Sequence, residues 1–283
     1  MATHKGEYLR RDPAYPALKD IVIALTGLGY WSDKDDMLSD LLAALVERWG
    51  KNASALLQRL QREAGHGPVT EAAIDAVTVG ETSFFRYQAQ FDALEREIIP
   101  EVMERNRATR SLSIWSAGCS NGAEAYSVAI LLQRRFGAML AGWRVDIVGS
   151  DISVGALAAA SIGEYGAWSI RDLPPNLLHE CFAPRGRQWW LKPPYRQGVR
   201  FVRHNLVTQP PPGDRFDVVL CRNVLMYFTP PIRRRVLLSL RSGMAEGGWL
   251  LVGHAETGTC VSELFSTEVR PDCTLYRRRE EAP

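Results

Sequence analysis

Leu112-Ser-Ile-Trp-Ser-Ala-Gly118-Cys-Ser-Asn-Gly122-Ala-Glu124-Ala-Tyr126 is the stretch whose reading decides the fold. Its first six residues form a short apolar run that stops at Gly118, as a buried strand does at a turn. From Ala123 to Phe136 the apolar positions recur with helical spacing. A strand, a glycine turn and a helix make one βα unit. The pattern repeats downstream. Val145–Ser150 reads as a strand followed by a helix over Val154–Ser161. Phe216–Cys221 reads as a strand followed by a helix over Ile232–Arg241. Trp249–Gly253, opened by Gly247-Gly248, is one more strand. Strands alternating with helices predict a mostly parallel sheet covered on both faces. Phe265–Val269 and Cys273–Arg277 are expected to close that sheet as a hairpin.

Two regions break the rhythm. Ile170 to Val202 holds Pro174, Pro175, Pro184, Pro193 and Pro194 with Trp189 and Trp190. There Arg187–Lys192 and Val199–Arg203 are expected to be antiparallel strands of a small inserted β-subdomain. Upstream, Leu18, Ile21, Val22 and Leu25 have helical spacing, as do Leu38, Leu41, Leu42, Leu45, Val46 and Trp49. The latter helix is expected to start after the caps Ser32 and Asp33 and to end at Gly50. Asn52–Glu63 and Glu71–Val77 add two more helices, separated by the breaker Gly65-His66-Gly67-Pro68. The expected domains are a helical one over 1–78 and an α/β one over 79–283, with the insertion at about 170–200.

The 283 residues carry 34 Lys and Arg against 32 Asp and Glu, a net charge of +2. That balance argues against a nucleic-acid binder held by bulk charge. The five cysteines are odd in number and form no CxxC, so neither a disulfide framework nor a zinc ribbon is expected. MATHKGEYLRRD lacks the apolar core of a secretory signal, and no apolar run approaches the ~20 residues of a bilayer span. A cytoplasmic globular protein is expected, without membrane insertion.

Four segments carry chemistry, each with a plainer reading beside the functional one. Gly118 and Gly122 have G-x-x-x-G spacing, so both the dinucleotide and the Walker patterns fail. Such a loop still lets a ligand approach the backbone at a helix start, or it is an ordinary tight turn. Asp151, at the end of the next strand, suits the two hydroxyls of a ribose, or caps the following helix. Together these two suggest an adenosine ligand without a pyrophosphate, and S-adenosylmethionine fits. Thr82-Ser-Phe84-Phe85-Arg86 offers a hydroxyl, an apolar wall and a cation, or a capped helix start with core phenylalanines. Phe216–Cys221 runs straight into Arg222, Asn223 and, further on, Tyr227. These are ligand groups, or a surface ion pair and a core tyrosine.

Taken together the motifs resemble the CheR family, S-adenosylmethionine-dependent methyltransferases that esterify glutamates of bacterial chemoreceptors. The resemblance rests on T-x-F-F-R at Thr82–Arg86, W-S-A-G-C-S-x-G at Trp115–Gly122, S-D-I at Ser150–Ile152, N-L at Asn205-Leu206, C-R-N-V-x-x-Y-F at Cys221–Phe228 and G-H-x-E at Gly253–Glu256. It spans about residues 10 to 277. It implies a Rossmann-like class I methyltransferase sheet with an inserted antiparallel β-subdomain and an N-terminal helical domain. It also implies roles. Gly80, Thr82 and Arg86 line the cofactor region. Gly118, Gly122 and Glu124 hold the methionyl end, and Asp151 the ribose. Asn205 and Leu206 flank the adenine, while Arg222 and Asn223 complete the pocket. Arg86 and Tyr227 lie near the methyl group as the catalytic pair. The cofactor would be S-adenosyl-L-methionine, leaving as S-adenosyl-L-homocysteine. The partner would be the cytoplasmic helical region of a chemoreceptor-like protein, met by a monomer.

This chain departs from that family in places. Gly80 stands where the family has Asn. Ala123 and Ala125 replace an acid and a proline of its G-E-E-P-Y. The helix after Lys34 carries Asp35, Asp36 and Asp40 where chemotaxis members are arginine-rich, and residues 1–72 hold nine basic against ten acidic side chains. An acidic helix repels a glutamate-rich surface. The compact insertion implies no grip on a receptor's C-terminal pentapeptide. Lys192-Pro-Pro-Tyr195 resembles the Asn/Asp-Pro-Pro-Tyr motif of adenine N6-methyltransferases but lacks its leading residue. Cys221 reads as a buried hydrophobe, and His254 and Glu256 as loop-ordering residues. Two other function classes stay open: a CheR-like module that binds cofactor or partner with weak or no catalysis, and a small-molecule carboxyl methyltransferase.

Overall fold

A computed structural model describes residues 6–279; the outermost residues of both expected domains lie outside it. The chain begins with five helices: α1 (Glu7–Arg10), α2 (Tyr15–Thr26), α3 (Asp35–Trp49), α4 (Ala53–Glu63) and α5 (Pro68–Val77). They share one apolar core, in which Leu18, Trp31, Leu42, Leu56 and Val77 are buried. Asn52 caps α4 through Ala55 N–H at 2.8 Å. The expected Ser32/Asp33 cap is not used. α3 follows Lys34 with no side-chain cap, its first turn favoured instead by Asp35 and Asp36 at the positive end of the helix dipole. Pro68 is not only a breaker: it occupies the first position of α5, three residues before the expected start, where its fixed φ suits a helix.

A helix formed by α6 (Gln88–Ala93), a π turn at Leu94–Ile98 and α7 (Ile99–Arg105) leads into the sheet. Seven strands follow the order β6-β2-β1-β7-β8-β10-β9. They are β1 (Ser111–Ala117), β2 (Arg144–Asp151), β6 (Val199–Arg203), β7 (Phe216–Cys221), β8 (Met244–Val252), β9 (Phe265–Val269) and β10 (Thr274–Arg278). The first five in space are parallel, and β10 pairs antiparallel with both β8 and β9, the predicted closing hairpin. α8 (Ala123–Phe136), α9 (Val154–Ile162) and α12 (Pro230–Gly243) are the crossovers, and α13 (Thr259–Ser262) precedes β9. Two buried clusters flank the sheet, one around Ile114, Leu132 and Leu220, the other around Trp115, Val219 and Leu250.

The insertion is a separate three-stranded sheet, β3 (Glu164–Tyr165), β5 (Gln188–Leu191) and β4 (Phe182–Arg185) in spatial order, with α10 (Ala167–Ile170) and α11 (Pro175–Cys181) between β3 and β4. Gln188–Leu191 falls inside the expected strand. Val199–Arg203 does not join this sheet. It runs parallel to β2 as the edge strand of the main one, pairing Gly149 with Phe201 and Asp151 with Arg203. The reason lies in the fit between two strands. Gly149 has no Cβ, and a Cβ there would lie 2.6 Å from the Phe201 ring, so the glycine makes room for the aromatic against β2.

Candidate functional site

In an open α/β sheet, ligands bind beyond the carboxyl ends of the strands where the strand order reverses. Here that point lies between β1 and β7. A cleft of about 1090 Å³ of empty space, its open mouth included, sits there. The loops after β1, β6 and β7 supply Gly118, Asn205, Leu206, Arg222, Asn223 and Tyr227, and the last residue of β2 is Asp151; Glu124 comes from the first turn of α8; Gly80, Thr82 and Arg86 come from the segment joining α5 to α6. Eleven of the twelve site residues expected from sequence therefore line one cavity.

Gly122 is the exception. It starts α8 at φ 82°, and a Cβ on it would lie 2.8 Å from both Ala160 Cβ and Phe201 Cζ. Its small size serves helix packing, not ligand contact. Gly118, at φ 77°, does face the cleft, and a Cβ there would meet Val224 at 2.5 Å. Ala123 and Ala125 are fully buried in apolar clusters, so the positions of the missing acid and proline do not face the cleft.

Arg222 ties the site together. Its side chain is 3% exposed and stands 3.4 Å from Glu124 Oε2. It donates to the Arg86 carbonyl. Its guanidinium lies over the rings of Tyr87 and Phe91, at 5.2 and 5.3 Å. Its Nε is buried with no partner. The surface ion-pair reading is thus excluded: this is a buried pair. Ser116 Oγ donates to Glu124 Oε1 at 2.7 Å. Burial pushes the Glu124 carboxyl up, and Arg222 pulls it back down. Removing one partner of such a pair strands a buried charge, at a cost of about 3–5 kcal/mol.

Asp151 does not cap α9; Ser153 does, accepting from Ala156 N–H at 2.9 Å. The Asp151 carboxylate instead accepts N–H groups of Ser120 (2.8 Å) and Ser153 (2.9 Å). Burial raises its pKa, and those two donors oppose the rise. Each oxygen keeps a lone pair for a ligand hydroxyl. Asn205 Oδ1 accepts from Val207 N–H and its Nδ2 donates to the Leu25 carbonyl, so it fixes its loop against α2.

Phe84 and Phe85 do not form a cavity wall. Phe84 is buried edge-on between Tyr165 and Phe182, and Phe85 packs against Phe91. They anchor the segment so that Thr82 and Arg86 face the cleft. The backbone there is strained: Phe85 and Tyr87 have φ of 52° and 62°, and Ser120 and Asn223, across the cleft, have 50° and 60°. Among the described residues, two of the eight non-glycine residues at positive φ line the cleft and two more flank Arg86, which lines it; such strain concentrates at functional sites.

Glu256 is 9% exposed and orders the loop beyond β7, as expected of it. It accepts N–H groups of Gly253 and Asn223 at 2.7 Å and of Met226 at 3.1 Å. All five cysteines are free; Cys119 and Cys221 are buried, and burial raises both thiols. Tyr195, from the Pro-Pro-Tyr decoy, donates to Glu180 outside the cleft.

Sequence reasoning missed the wall that the first helices supply. Thr26, Leu28, Trp31, Val77, Thr78 and Val79 line the cleft, as does His204. Trp31 Nε1 donates to the Val77 carbonyl at 3.1 Å, and the Tyr30 ring stands edge-on to Tyr227 at 5.4 Å. The available signal was Gly27 and Gly29. A Cβ on either would lie within 2.6 Å of Val207 or Thr229, a close approach only glycine permits.

The residues present suit S-adenosylmethionine. The Asp151 carboxylate suits a pair of hydroxyls, apolar Ile152, Leu206 and Phe228 offer a surface a purine ring could cover, and the Glu124–Arg222 pair offers both charges to an amino acid end.

Comparison with known proteins agrees. Residues 80–270 match the family model described as CheR methyltransferase, SAM binding domain. The chain is 36% identical over 237 residues to chemotaxis protein methyltransferase 1 of Pseudomonas aeruginosa, covering 81% of this chain and 85% of that one. It is 34% identical to chemotaxis protein methyltransferase Cher2 of Pseudomonas putida over the same shares. It is 30% identical over 263 residues to chemotaxis protein methyltransferase 2 of Vibrio cholerae, covering 92% and 91%.

Proposed function

The chain belongs to the CheR methyltransferase family, and from that premise we propose that it methylates glutamate side chains of a chemoreceptor-type protein, yielding glutamyl methyl esters. S-adenosylmethionine is its cofactor and methyl transfer its chemistry. The observation that carries the finer reading is Arg86, held beside the cleft by strained residues on both sides.

S-adenosylmethionine supplies a methyl group on a sulfonium. A glutamate carboxylate, with a free pKa of about 4.3, is already an anion near neutral pH. No general base is needed to make the nucleophile, so the protein's task is alignment, worth up to ~7–11 kcal/mol for well-placed reactants. Among the described residues the Arg86 guanidinium donates to the Glu81 backbone carbonyl at 3.3 Å and to no side chain, leaving donors for an incoming carboxylate. Burial raises the Tyr227 phenol, so it stays a neutral donor beside the same mouth. In this reading Asp151 takes the ribose, Leu206 the adenine, and Glu124 with Arg222 the methionyl end. The helical residues 6–77 and the three-stranded sheet act as separate units around the methyltransferase sheet.

Gly80 favours a second reading, a module that binds cofactor with weak catalysis, because it brings no side chain to the cleft. Tritiated S-adenosylmethionine with purified chemoreceptor cytoplasmic fragments separates the two. Base-labile tritiated methanol released from a fragment supports the enzyme. Calorimetric binding of the cofactor with no label on any fragment supports the module.

A further inference from the structure

The receptor reading leaves open what surface receives an acidic partner, because α3 has its Asp35 and Asp36 engaged with Lys19 and Arg10, the cations beside them. Its leading cation, Lys34, is engaged with Asp33 at 3.2 Å and lies over the Tyr30 ring at 4.4 Å. Resting on that reading, we propose that the exposed face of α12 is the docking surface for the acidic, glutamate-bearing helix of the receptor.

α12 packs Val236, Leu237 and Leu240 inward. Pro231, Arg234, Arg235, Leu238 and Ser242 are exposed, at the three-to-four spacing of one helix face. The arginine run divides its labour. Arg233 turns back and donates to the carbonyls of Leu225 and Phe228, bracing the Tyr227 turn. Arg234 faces only Glu263, at 3.9 Å, and Arg235 has no partner among the described residues. Leu238 is 43% exposed, and Met226, in the turn just before the helix, 46%. A stripe with one unpartnered guanidinium, a second held only by a 3.9 Å contact to exposed Glu263, and apolar contacts is complementary to an amphipathic acidic helix. The position is also right. α12 starts three residues after Tyr227, and at 1.5 Å per residue Arg234 and Arg235 lie roughly 6–8 Å along its axis from that start. A helix held there has its side chains beside the cleft mouth.

The test compares wild type with the double variant Arg234→Glu/Arg235→Glu, using tritiated S-adenosylmethionine and purified chemoreceptor cytoplasmic fragments. The expected result is a fall of about tenfold or more in kcat/KM for the fragment, carried by KM, with calorimetric cofactor affinity unchanged. The salt dependence of kcat/KM should flatten in the variant. Arg187→Glu, at the tip of the β4–β5 hairpin, should leave kcat/KM within about twofold of wild type. An unchanged kcat/KM in the double variant overturns the proposal, as does a larger loss in Arg187→Glu, which would place docking on the small sheet. Loss of binding to phosphatidylglycerol vesicles with methylation intact makes α12 a lipid contact and also overturns it. Wild type that labels no fragment removes the receptor reading itself, and this surface with it.

Discussion

Arg86 and His204 show how single side chains answer different questions. Arg86 faces the cleft mouth while its neighbours carry the strain, so Arg86→Ala should leave the fold and the cofactor site nearly intact. The expected outcome is a drop in turnover of about a hundredfold, with cofactor affinity changed less than about threefold. Steady-state kinetics at saturating fragment, alongside calorimetry, checks it. His204 is buried, with Nε2 bonded to the Pro210 carbonyl and Nδ1 without a partner. Burial lowers its pKa from the ordinary 6.5. Below that value the unfolded chain takes up a proton that the native imidazole refuses, so unfolding is favoured as pH falls and the effect is absent above it. Denaturant titrations from about pH 7 to 5 should lose stability in wild type. They should lose less in His204→Gln.

At the scale of elements, the loop after β7 depends on a carboxylate one strand away. Glu256→Ala removes the acceptor for three backbone N–H groups, and a buried unsatisfied group costs about 1–3 kcal/mol. The loop carrying Arg222, Asn223 and Tyr227 should loosen, lowering both the denaturation midpoint and cofactor affinity. Glu256→Gln, which keeps an acceptor oxygen, should recover part of each. Most of the sheet was readable from its periodicity, because buried parallel strands are short apolar runs between glycine turns. Val199–Arg203 was not. Its mix of arginines and apolar residues, Val199-Arg-Phe-Val-Arg203, resembles a half-exposed antiparallel strand, and an edge strand of a parallel sheet is half-exposed too. What distinguishes them is the space over Gly149, a tertiary fact. The polar residues at strand ends were legible because an abrupt change from apolar to charged at a carboxyl end has few other uses. The core role of Phe84 was one of the two readings its motif allowed, whereas the packing role of Gly122 was not legible, since glycines serve cores and sites alike.

At the scale of the molecule, the cleft is walled by residues from two independently cored parts. The contribution of the first helices escaped sequence reasoning because Thr26, Leu28 and Trp31 belong to no ligand motif and acquire their place only when α2 meets the β6 and β7 loops. Gly29→Val puts a side chain where a Cβ is already 2.3 Å from Thr229 Cγ2. It should weaken cofactor binding by about tenfold while the sheet keeps its own unfolding transition, as calorimetry and denaturation report. Asp75 of α5 adds a second tie. It accepts from Ser153 Oγ at 2.7 Å and meets the Gly155 N–H at the start of α9. A molecule seated between these halves acts as a rivet through a hinge. Amide exchange in α2 and α5 should slow when S-adenosylmethionine is added and quicken when the cleft empties. That outcome makes the helical half a reporter of cofactor occupancy, read through the cleft wall that Thr26, Leu28 and Trp31 supply.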